Sequence, residues 1–121
     1  MQRQPRIHDE GYLARIRQLD CTCCGNNIET QAAHVRFPDR RADKRPTGNS
    51  EKPDDRWTLP LCGTCHTKQH RMNEREFYRQ AGIDPIFVCL ALSRVDADHE
   101  RGNRIIAVAR EGAFVNLMAA G

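Results

Sequence analysis

The chain predicts a small α+β domain stapled by one metal ion, and three observations carry that expectation. Two Cys-x2-Cys pairs, Cys21/Cys24 and Cys62/Cys65, are separated by 37 residues. Between them, Gln31 to Phe37 and Arg56 to Leu61 are short mixed apolar and polar stretches that suit two strands of a hairpin. Helical periodicity flanks this middle region on both sides. A length of 121 residues suits one domain, taken as residues 1–121, with a zinc-bearing core over 8–80 and a mainly helical extension over 81–121.

Composition supports the staple. Apolar residues at 39% and charged residues at 29% are a thin hydrophobic supply for a core, so a metal is a plausible reinforcement. The N-terminus lacks an apolar stretch that could serve as a secretory leader, and the longest apolar run is only Ile86 to Leu92. The expectation is therefore a cytoplasmic protein with no membrane span, whose paired cysteines are thiolate ligands rather than disulfides.

In chain order, His8 or Asp9 precedes Glu10 to Leu19, where Tyr12, Leu13, Ile16 and Leu19 fall at helical spacing. Cys21 to Asn27 follows as a knuckle, with Gly25 at a turn position where a Cβ is unwelcome. Pro38 to Asp55, with three prolines and no hydrophobic period, reads as a long loop. A helix should open in the second knuckle and break near Met72. Asn73 then caps a helix over Glu74 to Ala81 that Gly82 stops. Asp84-Pro85 opens another, apolar nearly all round, to Val95. Asp98 to Arg110 is favoured as a helix, although a hairpin running to Met118 fits the residues as well.

Four thiolates in two such pairs suit tetrahedral Zn²⁺, each pair gripping the ion from one tight turn. Cys23 competes with Cys24 but would make a cramped Cys-x-Cys knuckle, and Cys89 reads as core. His66 and His70, four apart and on one face if Cys65 begins a helix, can present two imidazoles to one ion, with a pair of exposed or capping histidines as the plain alternative. No Glu follows His66, which excludes the His-Glu-x-x-His protease pattern. The formal charge of +3 does not by itself mark a nucleic-acid binder, but Arg36, Arg40, Arg41, Lys44 and Arg45 stand against only Asp39 and Asp43, a local excess equal to that of the whole chain. That stretch is a candidate phosphate-contacting loop, with a merely solvated loop as its plain alternative.

These motifs together resemble the HNH endonucleases of the ββα-metal class, and within them an uncharacterised phage and prophage branch. The resemblance rests on the basic helix and knuckle over Tyr12 to Cys24, Ala33-His34-Val35-Arg36, Lys52-Pro53-Asp54-Asp55, Pro60-Leu61-Cys62-Gly63-Thr64-Cys65-His66 and Gly82-Ile83-Asp84-Pro85, about residues 8 to 92 in all. It implies a treble-clef-like ββα-metal core and a metal-dependent endonuclease acting on nucleic acid, with double-stranded DNA the expected partner. It also implies His34 as the general base, with His66 and His70 holding a catalytic Mg²⁺ or other divalent ion. The chain departs from the family at Ala33, where a metal ligand often stands, and at Trp57 and Thr58, near the usual place of the residue that orients the base. Thr58 is one candidate for that orienting role. Asp55 or Asp54, just before the second strand, is a candidate to approach the ion. The rival from another class is a non-catalytic zinc module that binds nucleic acid or protein. A Cys-x-x-Cys redox protein is disfavoured, because no thioredoxin-like βαβ pattern is visible.

Overall fold

Asp9 starts the first helix by accepting the Tyr12 amide on Oδ1 at 3.0 Å, so α1 (Glu10–Ile16) buries Tyr12, Leu13 and Ile16 on one face. Gln18 and Leu19, expected within this helix, instead close a tighter turn through bonds to the carbonyls of Arg15 and Ile16, and Leu19 is still buried. The structure is a computed structural model that describes residues 8–42, 44 and 54–112.

The hairpin forms as the residues suggest. β1 (Gln31–His34) pairs antiparallel with β2 (Thr58–Leu61), with Gln31 opposite Leu61, Ala33 opposite Leu59 and His34 opposite Thr58. Strand alternation sends Ala33 into the core and leaves Ala32 and His34 on the face that lines a cleft. A carboxylate or imidazole at position 33 would therefore enter apolar surroundings, which accounts physically for the alanine. Pro60, with no N–H to give, still accepts through its carbonyl from the Thr22 amide at 2.9 Å and the Thr22 hydroxyl at 2.8 Å, tying the first knuckle to β2.

Asn73 and Asp84 cap their helices as predicted, and Cys62 and Asp98 cap two more. α2 (Gly63–His70) begins with Cys62 Sγ accepting the Cys65 amide at 3.4 Å. α3 (Glu74–Ala81) is capped by Asn73 and ends at Gly82, whose φ of 73° provides the left-handed stop. Asp84 caps α4 (Pro85–Arg94) and Asp98 caps α5 (His99–Arg110), so the open choice over residues 98–110 resolves as helix. Residues 113–121 lie outside the described chain.

One apolar cluster joins Tyr12, Ile16 and Leu19 of the first segment to Leu59 and Leu61 of β2, Ile86, Val88 and Leu92 of α4, and Ile106 and Ala109 of α5. Among the described residues of the segment expected to be a helical extension, α4 and α5 contribute to this same core. α5 approaches so closely that a Cβ built on Gly102 would lie 2.9 Å from both Leu19 methyls. No described helix is long and apolar enough to cross a membrane.

Candidate metal centre and histidine cleft

The two knuckles meet. The Sγ atoms of Cys21, Cys24, Cys62 and Cys65 all lie within 4.8 Å of one another, with Cys24 and Cys62 3.6 Å apart. A tetrahedral ion bound at about 2.3 Å would set its sulfurs about 3.8 Å apart, so the donor set fits one such ion. Cys21 accounts for its share through local geometry. Gly25, at φ 82°, turns the chain back so that its amide reaches the Cys21 carbonyl at 2.9 Å, and the Cys21 amide reaches the Asn26 carbonyl at 2.6 Å.

The electrostatics of Cys21, Cys24 and Cys65 point the same way. Burial works to raise the Cys21 thiol, but the N–H groups of Cys62, Cys24 and Cys23 outweigh it and bring the group down to about 7. Burial raises Cys24 and Cys65, and sulfurs already in the cluster push each further up. One thiolate is welcome and further ones repel, so the full tetrathiolate requires a cation at its centre. Cys23 stands outside the four, raised to about 12 by burial and by its neighbours, and Cys89 is a core residue whose Sγ–H faces the Thr58 carbonyl at 3.3 Å.

Beside this centre lies a cleft of about 730 Å³ whose lining includes His8, His34, His66 and His70. β1 delivers His34 and the first two turns of α2 deliver His66 and His70. The Nε2 atoms of His66 and His70 converge to 3.0 Å. Two nitrogens each about 2.1 Å from one octahedral ion would be separated by about 3.0 Å, so the pair is spaced for adjacent coordination positions. Nδ1 of His66 is hydrogen-bonded to Gln31 Oε1 on β1, which orients the ring. Burial, then the nearness of His70 and His34, lowers the His66 pKa and favours the neutral, lone-pair-bearing form.

The base expected at His34 has a partner the sequence did not single out for it. Asp55, fully buried, receives His34 Nε2 on Oδ1 at 2.9 Å, while its Oδ2 receives His8 Nδ1 at 2.8 Å and the Asp9 amide at 2.7 Å. Both oxygens are thus engaged by His34, His8 and Asp9, so the structure shows Asp55 as the partner of two histidines. Thr58 does not orient the base. Its hydroxyl donates to the Asp55 carbonyl at 2.7 Å and so holds the turn that presents Asp55.

Comparison with protein-family models, with curated proteins and with solved structures finds no match. The geometry therefore carries the functional reading by itself.

The basic loop is less uniform than its sequence. Arg36 lines the histidine cleft and Arg40 is exposed. Arg41 is held by Asp39 at 2.5 Å, approaches Asp84 at 3.6 Å, and stacks over Phe87. Lys44 is buried, 5% exposed, with Nζ 5.7 Å from the Trp57 ring centre, so it is not the surface phosphate contact that the charge pattern suggests. Arg45 lies outside the described residues. Sequence reasoning passed over His8, Gln31 and Glu74 as cleft residues, and Glu74 accepts the Arg36 amide at 3.1 Å with a carboxyl raised by burial. Only their positions beside motif residues could have flagged them.

Proposed function

We propose that this protein is a metal-dependent endonuclease of the HNH type, hydrolysing phosphodiester bonds of nucleic acid, DNA first among the candidates. The observation that carries the reading is a cleft in which a histidine held by a buried carboxylate shares the lining with two imidazoles converging to 3.0 Å. In this reading the four cysteines hold a structural zinc in a treble-clef-like ββα-metal core, and His66 and His70 hold a divalent ion such as Mg²⁺ or Mn²⁺. The ion would supply charge neutralisation at the scissile phosphate.

The chain's own groups do the rest. A neutral His34 that donates Nε2–H to Asp55 is basic at Nδ1, and this nitrogen takes a proton from the attacking water. Asp55 holds the ring and stabilises the imidazolium that results, as the carboxylate of a Ser-His-Asp triad does. Gln31 keeps the His66 lone pair on Nε2. Arg17 and Arg36 on the cleft lining provide positive charge for the phosphate chain.

A non-catalytic zinc module would not need a carboxylate-held histidine in the same cleft as His66 and His70. Plasmid cleavage with Mg²⁺, Mn²⁺ or Ni²⁺, wild type beside His34→Ala, tests the proposal. Cleavage by the wild type and its loss in the variant are expected. Equal rates, or an inert wild type that still binds DNA, would replace the enzyme with the binding module.

A further inference from the structure

His8 has no part in the metal centre or the core, yet three contacts fix its place. Its Nδ1 meets Asp55 Oδ2 at 2.8 Å, the adjoining Asp9 amide meets the same oxygen at 2.7 Å, and Asp9 is itself the cap of α1. The His8 side chain is 60% exposed, and it lines the cleft that contains His34, His66 and His70. One buried carboxylate thus holds two imidazoles, one on each oxygen, brought from the residue before the α1 cap and from the end of β1.

In an in-line displacement the attacking and leaving oxygens lie on opposite sides of phosphorus, so one histidine cannot serve both. We infer that His8 is the general acid of the reaction proposed above, giving its Nε2 proton to the leaving oxygen while His34 acts on the water. The water O–H bond breaks with its proton passing to His34 Nδ1, and the water oxygen forms a bond to phosphorus. The bond from phosphorus to the leaving oxygen breaks with its electron pair on that oxygen, and the His8 Nε2–H proton satisfies it. The products are a phosphomonoester and an alcohol, and the histidines exchange protonation states before the next turnover. Asp55, facing a histidinium in each half of the cycle, stabilises whichever ring is charged.

This inference rests on the phosphodiesterase reading, and the test separates the two. DNA has a poor alkoxide leaving group that needs a proton, whereas the p-nitrophenolate of bis(p-nitrophenyl) phosphate leaves without one. His8→Gln keeps a donor for Asp55 Oδ2 but has no transferable proton. It should slow DNA cleavage by about 10² or more and slow the aryl diester less than about threefold. His34→Ala should slow both substrates. Unchanged DNA cleavage by His8→Gln, or equal slowing on the two substrates, overturns the acid role and leaves the endonuclease standing. A wild type inert toward both substrates refutes the endonuclease and His8 with it. Thermal melting of His8→Gln beside wild type excludes a folding defect as the source of the difference.

Discussion

Asp55→Asn replaces one acceptor by a donor at a place where the structure dictates which oxygen is lost. Oδ2 receives the Asp9 amide at 2.7 Å, a group that can only donate, and His8 Nδ1 at 2.8 Å. The asparagine must therefore keep its carbonyl at that position and turn its NH₂ toward His34 Nε2, which lies 2.9 Å from Oδ1. His34 then has to accept at Nε2, so its proton moves to Nδ1 and the nitrogen facing the water loses its lone pair. Three hydrogen bonds persist but lose their charge assistance, a cost of about 1–3 kcal/mol in stability. On the proposed mechanism, turnover should fall by about 10² to 10⁴, the contribution of base catalysis. Single-hit plasmid nicking measures the rate, and long-range ¹⁵N correlation spectra of the imidazoles report the tautomer. Asp55→Asn protein that cleaves at the wild-type rate, or that retains His34 protonated at Nε2, would refute the reasoning. By contrast, Asp55→Ala leaves a buried donor unpaired and should cost about 3–5 kcal/mol, visible as a lower melting temperature.

Cys62→Ser removes one sulfur from the cluster while leaving an oxygen that can receive the Cys65 amide, so metal analysis should show zinc lost and melting should show a large drop; an unchanged curve would remove the ion from the fold. Lys44→Met replaces a buried amine whose Nζ finds no hydrogen-bond partner among the described residues, and should stabilise the protein by about 1–3 kcal/mol in urea titrations at neutral pH. Burial lowers the Lys44 pKa below its ordinary 10.5, so the folded state binds this proton less readily than the unfolded one. The wild type should therefore gain stability relative to Lys44→Met as pH rises from the lowered value toward 10.5, and lose it again on the way down. Gly102→Ala gains helix propensity of about 1 kcal/mol but drives a methyl into Leu19, a strain of about 1–3 kcal/mol, so a net loss of stability by denaturant titration is expected.

The elements with local chemistry were legible in the chain. Asn73, Asp84 and Asp98 cap their helices because a short side-chain oxygen reaches an amide two or three residues ahead, an interaction contained within four residues of sequence. Gly82 ends α3 for an equally local reason, since it can take a left-handed φ without a Cβ clash. The Cys-x2-Cys spacing likewise marked the four sulfurs that cluster, because each pair can close around an ion within a single turn. His34, His66 and His70 were readable as residues, and their grouping followed from the hairpin leading into α2. The partners of His34 were not, because Asp55 lies 21 residues further along the chain and His8 reaches it from before α1. Which of Thr58, Asp54 and Asp55 faces the base depends on how the turn before β2 folds, and spacing along the chain does not record that. Nor does charge along the chain distinguish Lys44, folded in beside Trp57, from Arg40 at the surface. Caps and knuckles come from short-range hydrogen bonding, whereas the roles of Asp55, His8 and Lys44 come from burial and long-range approach, which only the packed core creates.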